Sequence, residues 1–189
     1  GEPDDYHVTF NEERAEFMRR DGHQTTTLTV LVSAEDDSEA RRIGIANAGT
    51  EARVIEITSY AELALAPQAA DVAHPVFSKL FVETQLLDNG TLVAHRRRRD
   101  PAEADVWAAH LVVVEGNAIG NVEFESDRAQ FLGRGGSARR PRAVVDGRSL
   151  SGSAGTVLDP IFALRTRVLI APGASAHITF WTMIAACRQ

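Results

Sequence analysis

Cysteine and lysine each occur once in this 189-residue chain, as Cys187 and Lys79. A single cysteine excludes an intramolecular disulfide and removes any cysteine-based metal arithmetic. Cys187 stands beside a terminal Arg-Gln, where an inert thiol is expected, and a reducing, cytoplasmic setting is compatible with its solitude. Apolar runs are short. The longest, Ile178–Cys187, is about half of the ~20 residues that span a bilayer. The start, Gly1-Glu2-Pro3-Asp4-Asp5, has neither the basic nor the apolar region of a signal peptide. It also lacks an initiator methionine, so a fragment of a longer polypeptide is expected. Internal repeats and low-complexity tracts are missing as well.

Positive charge is in deficit: 20 basic residues face 26 acidic ones, for a net charge of −6. A general nucleic-acid binder needs the opposite balance, because phosphate neutralisation supplies most of non-specific affinity. Nineteen of the basic residues are arginine. Codon bias accounts for that most simply, yet arginine is also the better bidentate partner for anions and planar groups. The remainder, 44% hydrophobic and 24% charged, is that of an ordinary globular protein.

What is present is period two. Gln24–Ser33 is rich in β-branched residues and ends in the acidic turn Glu35-Asp36-Asp37. Arg41–Asn47 alternates, and Asn47-Ala48-Gly49-Thr50 reads as a hairpin loop. Arg53–Leu65 reads as one long strand with Ile55 and Ile57 on one face. Ala66–Pro75 reads as a crossover loop, and Phe77–Leu87 as a strand turning at Asp88-Asn89-Gly90 into Thr91–Arg96. Asp105–Val114 and Ala118–Glu125 form a candidate pair around Glu115-Gly116-Asn117. Phe131–Gly155 turns to Gly, Ser and Arg without periodicity and reads as a long loop, a kind of segment that is functional or disordered when found in compact domains. Pro160–Ile170 and Ala174–Ala185 close the chain. Ten or more strands without an amphipathic helix predict an all-β antiparallel sandwich with little helix, as a single domain over 1–189.

Catalytic signatures are absent. Gly147-Arg148-Ser149-Leu150-Ser151 fails the nucleophile elbow at its last position. Gly133-Arg134-Gly135-Gly136 is no phosphate loop of the Gly-Lys-Ser/Thr type. His7, His23, His74, His95, His110 and His177 are scattered without metal-ligand spacing. Arg96–Arg99, beside Asp100, Glu103 and Asp105, reads as a solvated strand end. In Asp159-Pro160 the aspartate is expected to satisfy loop amides. Trp107 and Trp181 lie in apolar strand patterns and are expected in the core. The densest remaining stretch is Glu125–Gly135. Acid and guanidinium side by side can bind vicinal sugar hydroxyls or pair with each other, and the glycines beside Arg134 let the backbone turn and expose it.

Four segments occur in order: Ile57-Thr58-Ser59-Tyr60-Ala61-Glu62; His74-Pro75-x-Phe77-Ser78-Lys79-Leu80-Phe81-Val82-x-Thr84; Asp127-Arg128-x-x-Phe131-Leu132-Gly133-Arg134-Gly135; and Gly155-x-x-Leu158-Asp159-Pro160-Ile161-Phe162. Together they resemble the N-terminal β-sandwich of glycoside hydrolase family 94, the inverting disaccharide and oligosaccharide phosphorylases, and most closely that region of its cyclic β-1,2-glucan synthase members. The resemblance covers about Tyr6 to Arg188. It implies a large supersandwich of galactose-mutarotase-like fold, followed in the family by an (α/α)6 barrel that carries the general acid and uses inorganic phosphate as nucleophile.

By that resemblance this segment has no catalytic residues and no cofactor; inorganic phosphate would be a co-substrate of a phosphorylase parent. Arg134, Arg128 and Asp127 are the implied substrate contacts. Implied partners are a β-glucan or gluco-oligosaccharide, the barrel of the same polypeptide and a second copy, with no nucleic acid and no membrane insertion by this segment. The implied location is cytoplasmic, on a parent anchored in the bacterial inner membrane. A free-standing carbohydrate-binding module and a pure oligomerisation domain are the alternatives, although aromatic residues make up only 6% of the chain.

Overall fold

The computed structural model describes residues 2–187. Its strands are β1 (Asp5–Phe10), β2 (Arg14–Asp21), β3 (Gln24–Val32), β4 (Ser38–Asn47), β5 (Arg53–Thr58), β6 (Ala61–Glu62), β7 (Val82–Leu86), β8 (Leu92–Arg96), β9 (Val106–Glu115), β10 (Asn117–Asp127), β11 (Gly155–Thr156), β12 (Pro160–Ile170) and β13 (Ser175–Ala185). Four short helices are inserted: α1 (Gln68–Ala73), α2 (Pro75–Lys79), α3 (Arg128–Leu132) and α4 (Arg142–Val145). One sheet has the order β1-β2-β3-β4-β13-β9-β8-β7-β11, the other β10-β12-β5, with β6 paired to β12. The all-β sandwich expected from period two is what forms, and the chain divides into two compact units.

The first unit holds the residues up to Ile57, Leu111–Asn121 and Thr166–Met183. Threonine-rich β3 lies between β2 and β4, with Leu28 opposite both Phe17 and Ile43. Strand β13 pairs antiparallel with β4 from Ser175↔Ala46 to Met183↔Ser38. Ile45, Val168, Ile170, Ala176, Ile178 and Phe180 are buried. Trp181 is 39% exposed, contrary to the core expectation. Strand parity gives the reason: neighbours point to opposite faces, and Phe180 takes the inner one. Strands β1 and β2 were not foreseen, because Glu12, Glu13, Arg14, Arg19, Arg20 and Asp21 mask their alternation. They form a solvated edge that has little core to reveal it.

Two expected hairpins are crossings between sheets. β4 belongs to the nine-stranded sheet and β5 to the other, and the same holds for β9 and β10. Asn47 explains the first crossing. Its buried side chain donates to the carbonyls of Glu51 (2.8 Å) and Ile170 (3.1 Å) and accepts from Gly49 N–H (3.0 Å). Hairpin-like turn chemistry is thus used to leave the sheet.

The second unit holds Thr58–His110, Val122–Arg165 and the residues from Ile184 onward. Strand β7 pairs with β8 and β11, and β8 with β9. The Asp88-Asn89-Gly90 turn is as expected, with Gly90 at φ +82°, where a side chain would be strained. Phe77–Leu87 is not one strand: Pro75 opens α2 at a helix position that needs no N–H donor, and β7 starts only at Val82. Similarly, Ala66–Pro75 contains α1. Arg53–Leu65 breaks at Ser59, whose Oγ accepts from Leu164 N–H (3.0 Å) and meets buried His110 Nε2 at 2.8 Å. Trp107 is half-buried and stacks on His95 with ring centroids 4.1 Å apart, so it too lies outside the fully buried core.

The largest departure is Phe131–Gly155, which is not a structureless loop. Phe131 ends α3 side by side with Leu132, and both are buried with Ile161 and Ala163 under Tyr60, Ala143 and Leu150. Helix α4, a Ser137↔Arg140 bridge and β11 follow. Periodicity fails here because helices of four or five residues are too short to display it.

Candidate functional site

The four sequence segments that stand apart meet at one place in the second unit. Tyr60 donates to Glu62 Oε1 at 2.7 Å, and Arg128 Nε donates to the Tyr60 hydroxyl (3.1 Å) and to Glu62 Oε1 (2.9 Å). Arg128 also reaches Asp159 Oδ2 at 3.4 Å, and Lys79 Nζ donates to Asp159 Oδ1 at 2.7 Å. Asp159 therefore pairs with two cations rather than with loop amides. Burial and the adjacent carboxylate of Glu62 raise the Tyr60 phenol above its usual range. The Tyr60 hydroxyl, then Arg128, hold the Glu62 carboxyl below its usual range. Tyr60 and Glu62 hold the Arg128 guanidinium more firmly protonated than usual. Two cations against two anions make the cluster neutral: a clasp that joins β6, α2, α3 and the start of β12.

Asp127 is the residue before α3, and its carboxylate accepts from Ala129 N–H at 2.8 Å, a capping bond that satisfies a free helix donor. Asp127 and Arg128 are thus engaged within the chain. Arg134 is separate from them. Gly133, at φ +68°, ends α3 and turns the backbone, leaving Arg134 exposed with no ion-pair partner among the described residues. It lines a cleft of about 320 Å³ together with Gln130, Arg142, Asp146, Arg148 and Ser151.

Two fully buried charges brace the cleft: Glu125 lines it, and Arg165 holds two residues of its lining. Arg165 is 1% exposed; its guanidinium donates to Thr58 Oγ1 (3.1 Å), Arg148 C=O (2.5 Å) and Ala143 C=O (2.6 Å) and lies 3.6 Å from Glu123. Glu125, equally buried, accepts from the amides of Ser126 (3.0 Å) and Asp127 (2.9 Å) and from Ser151 through both its amide and hydroxyl. Buried ions persist only when hydrogen-bonded in this way. They fix Ala143–Ser151, hence the cleft, onto the strands.

Sequence reasoning missed Arg142, Arg148 and Arg165. A signal for the first two was present: residues 133–151 contain five arginines against one acid, Asp146. Glu125 opens the charge-dense stretch that stands out in the sequence, but its burial does not show there, and nothing local marks Arg165, whose partners are remote in sequence. Chemically the site offers guanidinium and hydroxyl donors around a concavity, which suits an oxygen-rich ligand. No group of three or more His, Cys, Asp or Glu that could hold a metal occurs among the described residues.

Residues 1–189 match the family described as glycosyl hydrolase 94, supersandwich domain. The chain is similar to the cyclic β-(1,2)-glucan synthase NdvB of Rhizobium meliloti (strain 1021), at 39% identity over 181 residues, which is 95% of this chain and 6% of that protein. The chain thus spans a small fraction of the relative it matches. Among solved structures, a polysaccharide lyase is similar over 98% of this chain and 23% of its own, at 14% identity and a TM-score of 0.48. A TPR-domain-containing protein from Parabacteroides distasonis is similar over 97% of this chain and 35% of its own, at 10% identity and a TM-score of 0.44.

Proposed function

Because the chain belongs to the glycosyl hydrolase 94 supersandwich family, we propose that it is a non-catalytic domain of a β-glucan-processing enzyme and contributes a carbohydrate contact through the loop that carries Arg134. The observation that carries this reading is the exposed, unpaired Arg134 on the rim of a cleft braced by buried charges. Asp127 and Arg128 act beside it, one by capping α3 and the other by tying α3 to Glu62 and Asp159. The similarity to NdvB points to a β-1,2-linked glucan as ligand and to a catalytic domain elsewhere in the same polypeptide. Catalysis would belong to that other domain, as would the use of inorganic phosphate and attachment to a membrane on the cytoplasmic side.

Calorimetric titration of the chain with linear β-1,2-gluco-oligosaccharides, beside Arg134→Ala, tests the reading. Heat of binding that disappears in Arg134→Ala supports a glucan contact on this loop. Absence of binding at millimolar sugar removes sugar recognition by the isolated domain.

One observation favours an additional role in pairing with a second copy. Tyr6, Val8 and Phe10 alternate along β1, the terminal strand of its sheet, and all are exposed, Phe10 by 72%. Edge strands with apolar side chains template further strand pairing. Sedimentation of the chain and of Phe10→Ser tests it: a dimer that dissociates on substitution supports the role, and a monomer at all concentrations excludes it.

A further inference from the structure

We infer that the apolar face of β1–β3 is the seat of a partner's amphipathic helix that carries lysine or arginine at one end. The inference goes beyond the carbohydrate-contact reading and does not rest on it. It uses the side chains of this face, whereas pairing with a second copy along β1 would use main chain at the sheet edge.

The face follows from the register. Val8, Phe17, Leu28, Ile43 and Ile178 are successive cross-strand partners through β1, β2, β3, β4 and β13, and Phe10, Ala15 and Val30 form the next row of the same face. At β13 this is the core side, with Ile178 and Phe180 buried. Toward β1 the cover is lost strand by strand. Phe17, Leu28 and Val30 are half-buried, while Tyr6, Val8, Phe10 and Val32 are exposed, Val32 by 67%. Phe10 meets Phe17 edge to face, with ring centroids 6.0 Å apart. The opposite face of β3 carries Thr25, Thr27 and Thr29. These strands thus alternate like a sheet with one covered face, yet the apolar side lies open, and open apolar faces mark interaction sites.

Size and charge identify the occupant. Three strands about 4.8 Å apart, each presenting about seven residues of ~3.3 Å, give a footprint of roughly 14 by 20 Å, or roughly 300 Å². A stable dimer buries about 800 Å² on each partner, so two copies stacked through this face fall short. One helix about 10 Å across and about 13 residues long matches it. A helix also satisfies its own main-chain bonds and can cover an apolar face without a neighbouring strand. The two turns at the Phe10 and Val32 end are acidic, with Glu12 and Glu13 in one and Glu35, Asp36 and Asp37 in the other. All five are exposed, and none has an ion-pair partner among the described residues. Arg14, the cation nearest in sequence, is the partner of Leu31 and belongs to the opposite face. At the other end of the face the charges cancel, Arg19 lying 2.6 Å from Asp21. The complement is a helix with basic residues at the end that meets the acidic turns.

The test is a fluorescence-anisotropy titration of the 189-residue chain against a labelled peptide of about 14 residues. The peptide has leucine at i, i+3, i+4 and i+7 in an alanine background and lysine in its last turn. A second peptide carries glutamate in place of the lysines. Expected is binding of the lysine peptide, with a gain of helix by circular dichroism, and binding about tenfold weaker for the glutamate peptide. Phe10→Ser should weaken the lysine peptide about tenfold or more, and Glu12→Gln with Glu13→Gln about threefold. Val76→Ser, at an exposed apolar position of α2, should leave it unchanged. Phe10 and Val76 are both exposed, so these variants keep the fold. Equal binding of the two peptides, or equal weakening by Phe10→Ser and Val76→Ser, assigns the signal to general apolar adhesion and overturns the inference. A dimer that excludes the lysine peptide gives the face to a second copy and overturns it too, as does a monomer that binds neither peptide. The carbohydrate reading stands or falls separately, on the glucan titration.

Discussion

Replacing Arg165 by methionine removes the guanidinium that holds the cleft loop and keeps most of the side-chain volume. Three hydrogen bonds disappear, to Thr58 Oγ1 and to the carbonyls of Arg148 and Ala143, along with the approach to Glu123. Breaking a buried charged pair by removing one partner costs about 3–5 kcal/mol. Here Glu123 keeps a hydrogen bond from Leu150 N–H (2.9 Å), and the two freed carbonyls belong to a surface segment that water can reach. The loss therefore falls near the lower bound, about 3 kcal/mol, or a melting temperature lower by roughly 6–12 °C for a domain of this size. Proteolysis localises the effect: the 133–151 segment offers trypsin four arginines, Arg140 being shielded by Pro141, and Arg165 is one of the anchors that hold it. Cleavage there should quicken far more than elsewhere in the chain. A stability change under about 1 kcal/mol, or cleavage spread evenly along the sequence, would refute the reasoning.

Gly136→Ala would place a Cβ against the backbone carbonyl of Leu132; opening that turn should cost about 1–3 kcal/mol in chemical denaturation and lower ligand affinity. Phe180→Ala should lose about 3–5 kcal/mol while its neighbour Trp181→Ala loses under about 1 kcal/mol, a comparison by urea unfolding that checks the parity of β13. Glu62 is depressed in the folded state, so its contribution is present above the unfolded carboxyl value and lost as pH falls through the lower folded value. Its half-exposed position limits that contribution to at most about 1 kcal/mol. Acid denaturation of Glu62→Gln should accordingly show a shallower stability loss below pH ~4.3 than the parent, and an unchanged slope would count against the clasp.

Strand β12 was legible in the sequence through the turn residues that bound it, Asp159-Pro160 and Ala171-Pro172-Gly173, although its first seven residues are all buried instead of alternating. Hairpin prediction was sound where Gly90 fixed the turn and failed at Asn47, because turn residues specify a change of direction and not the sheet that receives the next strand. The clasp was half legible. Tyr60, Glu62, Lys79, Arg128 and Asp159 stood out in unusual runs, but their mutual pairing depends on contacts across up to 80 residues, which no local pattern encodes. Arg165 was hidden for a different reason. It sits in β12 beside Thr166 and the partly buried Arg167, and only the loop that folds over it makes a buried cation tolerable there.

The anchors of the 143–152 segment share one property. Arg165 grips carbonyls, Glu123 and Glu125 grip amides of Leu150 and Ser151, and Gly152 N–H bonds the Phe124 carbonyl. Apart from the Ser151 hydroxyl, these bonds hold main chain, which every sequence possesses. The outward side chains between them, Val144, Val145 and Arg148 among them, are therefore free to be exchanged while the loop path stays fixed. The strands supply a socket, and the loop behaves as an interchangeable face: a library randomised at those positions should vary what is bound while leaving the melting temperature nearly constant.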